Sequence, residues 1–161
     1  MKRSGRWYHW LYRGGRPNRV ARAMNGASRV LHSTGLVNRL VTLEVRGRRT
    51  GRIISFPLVI ADYQGERYLV AMLGQNTNWV RNVRAAGGHA VLRHGRRENV
   101  RLEEIEPAAR PAILRRYLAC APGARPHIPV DRHARLEEFG RIAAQVPVFR
   151  ITSQWGSPGE T

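Results

Sequence analysis

Cysteine is almost absent from this chain, since Cys120 is the only one among 161 residues. A single cysteine excludes a disulfide framework and any metal site built from several thiolates. The thiol stands between Ala119 and Ala121 with no evident base beside it in the sequence. These neighbours favour a small packed residue over a catalytic nucleophile.

Long apolar runs are missing as well. No stretch reaches the roughly 18 consecutive apolar residues of a membrane-spanning helix. The N-terminus is basic, but it lacks the continuous apolar segment of a secretory signal. We therefore expect a soluble protein of the cytoplasm.

Acidic residues and lysine are scarce, whereas arginine is abundant. The chain has 28 basic and 11 acidic residues, which gives a net charge of +17, and Lys2 is its only lysine. A GC-rich coding bias explains part of the arginine excess, because alanine, glycine and valine are also frequent. The remainder predicts an anionic partner, which can be nucleic acid, a membrane surface, or a ligand that carries phosphate or carboxylate groups.

Several familiar site motifs are absent. No lysine follows a glycine-rich stretch, which excludes a Walker-type phosphate loop, and no G-x-G-x-x-G connects a strand to a helix. The six histidines are scattered, and His89 and His94 would point to opposite faces of one predicted strand. The acidic clusters at 103–106 and 137–138 are typical of solvated surfaces. The sequence therefore predicts no metal site and singles out no catalytic residue.

Composition predicts one folded domain with two flanking segments. An apolar fraction of 42% and four tryptophans argue against disorder. We place the domain at residues 18–153, after a basic aromatic arm at 1–17 and before a tail at 154–161. Residues 6–13 of the arm combine arginine, tryptophan and tyrosine, which fits peripheral contact with the inner face of an anionic membrane, a lid, or disorder.

Hydrophobic periodicity predicts an α+β domain built on an antiparallel sheet or barrel. The predicted helices cover residues 19–32, 79–86, 107–119 and 134–145. The predicted strands cover residues 41–45, 53–61, 67–73, 89–94, 98–105 and 147–152. Asn18 and Asn78 are the predicted N-caps, and Gly87-Gly88 ends the second helix. The apolar run at 53–61 predicts a strand buried on both faces, in which Pro57 requires a bulge or an edge.

The turn at 46–52 is the first candidate site. It places four arginines, one threonine and two glycines between two predicted strands. Successive backbone N–H groups together with guanidinium groups can form a cradle for phosphate. The alternative is an ordinary solvated hairpin tip.

The segment 74–82 is the second candidate site. It places amide side chains and Trp79 between a predicted strand and the start of a helix. Amides can hydrogen-bond the heteroatoms of a flat ring, a tryptophan can stack on it, and a helix N-terminus favours negative charge. The alternative is a helix start with a tryptophan in the core.

A series of short motifs extends over roughly residues 38–152. In chain order they are Gly47-Arg48-Arg49-Thr50-Gly51, Pro57-Leu58, Tyr68-Leu69-Val70-Ala71, Asn78-Trp79-Val80-Arg81-Asn82-Val83, Ala85-Ala86-Gly87-Gly88 and Pro147-Val148-Phe149-Arg150-Ile151. Each motif is short, but their order and spacing resemble those of the deazaflavin-dependent nitroreductase family.

The resemblance implies a split β-barrel of the flavin-reductase type, often paired as a homodimer, and the cofactor F420. This 8-hydroxy-5-deazaflavin carries a phosphodiester and an oligoglutamate tail. In its reduced form it would pass a hydride to an electron-poor acceptor such as a quinone, an enone or a nitro compound. The positions that the resemblance implies for cofactor binding are Arg48, Arg49, Thr50, Ile54, Ser55, Phe56, Pro57, Leu58, Val59, Ala71, Met72, Leu73, Gly74, Asn78, Trp79, Val80, Arg81 and Asn82.

Three alternatives stay open beside this interpretation. Ile54 stands where many family members have a basic residue, and the segment 73–76 is short and lacks a lysine, so FMN is an alternative cofactor. A carrier of flavin, deazaflavin or lipid would retain its ligand without hydride transfer. A module that binds nucleic acid or an anionic surface is the third, although the arginines are spread over every element and no specific nucleic-acid motif occurs.

Overall fold

The structure, a computed structural model, describes residues 36–154 and consists of six strands and three α-helices in that range. The strands are β1 (Leu40–Arg46), β2 (Ile53–Tyr63), β3 (Glu66–Val70), β4 (His89–His94), β5 (Arg96–Glu104) and β6 (Val148–Ser153). The helices are α1 (Asn78–Ala85), α2 (Pro111–Cys120) and α3 (Leu136–Ile142). Short 3-10 turns lie at Leu36–Arg39, Pro107–Ala109, Pro122–His127 and Ala143–Gln145.

The six strands are all antiparallel to their neighbours and close into a barrel in the order β1-β2-β3-β6-β5-β4. The predicted α+β class and antiparallel barrel are confirmed. Alternation in β1 places Val41, Leu43 and Val45 in the interior, because successive side chains of a strand point to opposite faces. Leu43 lies opposite Phe56 of β2 and Leu92 of β4, so three neighbouring strands fill the same layer.

A second core lies outside the barrel, where α2 and α3 cover the end of β2, β3 and β6. Its fully buried members include Leu114, Leu118 and Phe139 of the helices and Val148 of β6. The outer faces of β1, β4 and β5 carry no helix of the described chain. The barrel therefore has one side covered by helices and one side whose outward residues are mostly exposed.

The prediction that residues 53–61 are buried on both faces is wrong. Ile53 is 61% exposed, and Ser55 is also exposed, whereas the alternate residues from Ile54 to Ile60 pack into the barrel. Pro57 lies opposite Thr42 of β1, and β3 pairs with β2 only from Ile60 onward. Pro57 therefore occupies an edge, which is one of the two settings that the sequence allowed.

Three other elements differ from the sequence prediction. β3 ends at Val70, before the predicted 73, because the chain turns there: Ala71 N–H donates to Pro147 O, and Gly74 N–H donates to Ala71 O, both at 2.9 Å. The helix predicted at 107–119 is split into a 3-10 turn and α2, which begins at Pro111, a residue without an N–H to donate. The predicted helix 134–145 is likewise an α-helix followed by a 3-10 turn.

The two ends of α1 were predicted with different success. Thr77 occupies the N-cap position, and Asn78 is already helical, so the predicted cap at Asn78 is wrong by one residue. The predicted stop is confirmed, since Gly87 and Gly88 adopt φ of 63° and 85°. The predicted helix 19–32, the whole arm and the tail after residue 154 lie outside the described residues.

The barrel has two distinct ends. The turn at 47–52 and α1 lie at one end, together with the start of β4. The β2–β3 and β4–β5 turns lie at the other, which contains a cavity of about 500 Å³ with Arg67 and Glu98 at its rim. No helix within residues 36–154 is both long and apolar enough to cross a membrane.

Glu98, which lines this cavity, is expected to make the stability of the protein depend on pH. It accepts hydrogen bonds from Arg67 Nη2 at 2.7 Å and Nη1 at 3.1 Å, and from the Ser153 hydroxyl. The Arg67 guanidinium foremost, and then Ser153, hold the pKa of the Glu98 carboxyl below its ordinary value. A lowered pKa in the folded state stabilises the protein at neutral pH, and that contribution disappears as the pH falls through the folded-state pKa.

We therefore expect Glu98→Gln to lower the free energy of unfolding by about 1 kcal/mol at pH 7. The deficit relative to the wild type should shrink steadily in acid. Urea unfolding of both proteins over a descending pH series measures this difference. A deficit that stays constant with pH would show that the charge of Glu98 contributes nothing.

Candidate functional site

The turn between β1 and β2 is closed by its own backbone. Gly47 N–H donates to Arg52 O at 2.7 Å, and Gly51 N–H donates to Gly47 O at 2.9 Å. Gly51 has φ of +70°, and a Cβ on Gly47 would lie 2.8 Å from Ile54 Cδ1, so both positions favour glycine. Thr50 Oγ1 accepts the Arg52 N–H at 3.3 Å. The backbone of the turn is thus defined by hydrogen bonds, and its exposed residues 48–52 are equally compatible with a solvated hairpin tip.

Three arginines, Arg48, Arg49 and Arg52, and the hydroxyl-bearing Thr50 project from this turn and are exposed. Of the three guanidinium groups, that of Arg48 is fixed by a protein partner in the described chain. The arrangement presents several cationic donors on one short backbone segment, which suits a phosphate or carboxylate ligand.

Asn82 of α1 ties the turn to the helix. Its side-chain oxygen Oδ1 accepts the Arg48 backbone N–H at 3.2 Å and the Arg48 Nη1 at 2.8 Å. Asn82 is only 1% exposed, so both hydrogen bonds are made at the edge of the core. The structure therefore brings together the two segments, 46–52 and 74–82, that the sequence singled out separately.

Trp79 and Val80 of α1 belong to the barrel core. The Trp79 side chain is 6% exposed, and its ring lies 5.4 Å from that of Phe149 at an interplanar angle of 56°. Of the two alternatives for this tryptophan, the structure shows the core residue, so its ring offers no open face for stacking. Asn78 and Arg81 are the exposed members of this helix start, and Arg81 Nη2 donates to Asn76 Oδ1 at 3.0 Å.

The segment after β3 is held against the end of α3. Ala71 is buried, Met72, Leu73 and Gly74 are half-buried, and Gly74 adopts φ of +89°. The Gln75 side-chain amide donates to Ala144 O at 2.7 Å. That amide is therefore engaged by the protein, and residues 71–74 present mainly backbone and apolar surface.

One edge of β2 is open next to the turn. Because Gly47 N–H pairs with Arg52 O, and because hydrogen-bonded pairs alternate along an antiparallel ladder, the even-numbered residues at 54–58 direct their backbone groups toward β1. The residues that direct them away from β1 are Ile53, Ser55 and Pro57. No strand in residues 36–154 pairs with β2 on that side before Ile60.

The side chains of β2 alternate accordingly. Ile54, Phe56 and Leu58 face the barrel interior, where Phe56 is 5% exposed. Val59 faces outward and packs against the helical core. Of the predicted cofactor positions in β2, Ser55 and Pro57 therefore lie at the open edge. The side chains of Ile54, Phe56 and Leu58 point into the barrel instead.

The surroundings of the turn are strongly cationic. Glu44 of β1, two residues before Arg46, is 8% exposed. Its carboxylate accepts hydrogen bonds from Arg93 Nη1 and Arg97 Nη2, each at 3.0 Å. Both oxygens of Glu44 are therefore already engaged by arginines of the protein.

Arg110 is a buried structural residue next to the site that sequence reasoning missed. It is 5% exposed; its Nε donates to Ile105 O, and its Nη1 to Ala143 O, both at 2.7 Å. Desolvation by burial lowers the pKa of this guanidinium from its ordinary value. Arg110 thereby fixes the 3-10 turn that holds Gln75. Nothing in the sequence distinguished it from the other arginines.

The part of the chain that the structure describes holds no candidate metal site, and its one cysteine is buried. It contains no group of three His, Cys, Asp or Glu side chains that could hold a metal ion. The Cys120 thiol is free and buried at the end of α2. The arginine turn and the open edge of β2 are the candidate ligand-binding features at this end of the barrel.

Known structures share the fold at low sequence identity. A protein of unknown function from Agrobacterium tumefaciens, Atu2129, matches 81% of this chain with a TM-score of 0.54 and 16% identity, and this chain spans 55% of its length. An F420-H2 dependent reductase, FDR-A, matches 71% of this chain and 94% of its own, with a TM-score of 0.51 and 18% identity. A domain-swapped dimer matches 80% of this chain and 96% of its own, with a TM-score of 0.52 and 16% identity.

Identities this low show the fold alone. No curated protein is similar enough to this chain to count as a match. The family model described as F420H(2)-dependent quinone reductase matches residues 16–129, which is well over half of the chain. This protein belongs to the F420H2-dependent quinone reductase family.

Proposed function

We propose that this protein is an oxidoreductase that uses F420H2 to reduce an electron-poor acceptor, with a quinone as the first choice and an enone or nitro compound as further substrates. The observation that carries the proposal is the junction of the arginine turn with α1 through Asn82, directly beside the open edge of β2. When bound, the reduced deazaflavin supplies the hydride.

The turn suits the anionic part of the cofactor. Arg48 and Arg49 carry exposed guanidinium groups, and Thr50 adds a hydroxyl next to the glycine at 51. Guanidinium groups bind phosphate oxygens through short, charge-assisted hydrogen bonds. Asn82 holds the Arg48 side chain in place before any ligand arrives, which reduces the conformational entropy lost on binding.

The open edge of β2 suits the ring. A pyrimidine ring system presents alternating N–H and C=O groups along one side, and a strand edge presents alternating C=O and N–H groups. The backbone of Ile53 and Ser55 offers both kinds of group, and Pro57 offers a carbonyl. The half-buried segment 71–74 and the start of α1 complete the predicted contacts with apolar surface and backbone.

Reduction of the acceptor requires a proton in addition to the hydride. The turn, residues 53–61 of β2 and α1 carry arginines, amides, hydroxyls and apolar side chains, none of which is a suitable proton donor at neutral pH. We propose that solvent protonates the product. The protein then contributes binding and orientation, and no residue is assigned as a general acid.

Titration of the purified protein into deazaflavin F420 tests the proposal. We expect the cofactor fluorescence to change with saturation in the micromolar range, and to change less with FMN under the same conditions. If the fluorescence of F420 does not change at tens of micromolar protein, the proposed function is wrong. Saturable binding of FMN alone would replace the deazaflavin by a flavin.

A further inference from the structure

Arg110 is the only buried arginine among residues 36–154. A buried guanidinium group is costly unless its N–H groups have partners. Its Nε donates to Ile105 O at 2.7 Å, and its Nη1 donates to Ala143 O at 2.7 Å and to Val146 O at 3.3 Å. Arg110 thus supplies donors to three backbone carbonyls at the end of the barrel that carries the arginine turn.

Two of these carbonyls belong to the chain that follows α3. Ala143 comes directly after α3 and begins the 3-10 turn Ala143–Gln145. The last carbonyls of a helix have no partner within the helix, and a cationic side chain suits them well. The backbone bond across the turn, from Val146 N–H to Ala143 O, is long at 3.4 Å. The turn therefore depends on Arg110 for its shape.

The same 3-10 turn supports the segment 71–77 of the candidate site. The Gln75 side-chain amide donates to Ala144 O at 2.7 Å. At the end of the segment, the Thr77 hydroxyl donates to Gly74 O at 3.2 Å, and Thr77 is the N-cap of α1. A continuous series of hydrogen bonds thus leads from Arg110 through the turn to the start of α1.

Arg110 also approaches the other end of α1, through Glu104. Arg110 Nη2 lies 3.6 Å from Glu104 Oε1. The Glu104 carboxylate accepts hydrogen bonds from Arg84 Nη2 at 2.5 Å and from Arg84 Nε at 3.1 Å, and Arg84 lies in the last turn of α1. Both segments that are proposed to complete the cofactor site, 71–74 and the start of α1, are therefore linked to one buried side chain.

We propose that Arg110 is a positioning residue for the cofactor site, an inference that rests on the proposed function. Its guanidinium group holds the Ala143–Gln145 turn, and the turn holds Gln75, so Arg110 fixes the segment 71–77 before a ligand arrives. A segment that is already fixed loses less conformational entropy on binding. Lysine is not equivalent here, because one ammonium group does not reproduce the fixed directions of the guanidinium N–H groups.

The test uses Arg110→Lys and Gln75→Ala, alone and combined. The first measurement is amide hydrogen exchange of the free protein, which needs no cofactor. We expect each variant to exchange roughly tenfold faster at residues 71–77, with wild-type rates in β1 and β5. The second is the Kd for F420 from fluorescence titration of the folded proteins. It should rise about fivefold in each variant and rise no further in the combined one, because both changes break the same series of contacts.

Val41→Ala is the control, since it removes buried apolar volume beside the cavity at the opposite end of the barrel. It should lower stability but keep the wild-type exchange at residues 71–77 and the wild-type Kd. An equal loss of affinity in this control would show that affinity follows global stability and would overturn the positioning role.

Wild-type exchange at residues 71–77 in either Arg110→Lys or Gln75→Ala would also overturn it, as would additive losses of affinity in the combined variant. Gln75 is exposed, so Gln75→Ala provides a decisive result even if Arg110→Lys does not fold. If the variants exchange faster at residues 71–77 but the wild type does not bind F420, the proposed function is wrong and the structural link from Arg110 to the segment is retained.

Discussion

Replacing Asn82 with leucine is expected to lower the free energy of unfolding by about 2 kcal/mol, because a hydrogen bond to a charged group contributes about 1.5–3 kcal/mol. Leucine fills a similar volume but accepts neither the backbone N–H nor the guanidinium of Arg48. The turn would then lose its connection to α1. Urea unfolding measures the stability, and F420 titration of the same variant measures a weaker affinity.

Asn82→Asp is the matched variant that separates the two effects. An aspartate keeps an oxygen that can accept both hydrogen bonds from Arg48, so we expect stability close to that of the wild type. Its negative charge lies beside the arginines of the turn and should still weaken the binding of an anionic cofactor. Full stability in Asn82→Leu would contradict the connecting role of Asn82, whereas unchanged cofactor affinity in both variants would contradict the position of the cradle.

The double substitution Arg48→Ala with Arg49→Ala is expected to weaken F420 binding by roughly 100-fold, since it removes two charge-assisted contacts to the anionic part of the cofactor. The Arg48 backbone N–H still reaches Asn82, and both side chains are exposed. The variant should therefore lose some stability with the guanidinium hydrogen bond to Asn82, but less than Asn82→Leu, which loses both hydrogen bonds. Fluorescence titration gives the affinity, and thermal unfolding monitors the fold.

The control for this pair is Arg115→Ala with Arg141→Ala, which makes the same change of net charge on the helical side. It should bind F420 as the wild type does. A comparable loss in the control would mean that affinity follows the overall charge of the protein. Unchanged affinity of the Arg48→Ala, Arg49→Ala variant for F420 would show that these two side chains do not bind the cofactor.

Local features of the fold could be predicted from the sequence because they depend on neighbouring residues. The alternation of Val41, Leu43 and Val45 predicted β1, and the pair Gly87-Gly88 predicted the end of α1. The apolar run at 53–61 was wrongly predicted to be buried on both faces, because an apolar sequence does not show which face of a strand other elements cover. Ile53 is exposed there, because the helical core covers the outward face of β2 only farther along, at Val59 and Ala61.

Features of the site that join distant segments could not be predicted from spacing. Arg48 and Asn82 are 34 residues apart, and only the packing of α1 against the barrel end brings them into contact. Arg110 fixes carbonyl groups 33 and 36 residues away, which no local pattern indicates. The sequence allowed Trp79 to be either a residue that stacks on a ligand or a residue of the core. Its packing against Phe149 shows that it belongs to the core.

The central claim is that this protein transfers hydride from F420H2 to an acceptor, and a carrier of the same fold is the strongest competing description. Anaerobic mixing of the protein–F420H2 complex with a soluble quinone, followed by the absorbance of oxidised deazaflavin, tests the claim most directly. The account predicts oxidation that saturates with protein concentration and is strongly slowed by Arg48→Ala with Arg49→Ala. Reduced cofactor that stays bound and unoxidised in the presence of quinone, enone and nitro acceptors would contradict it.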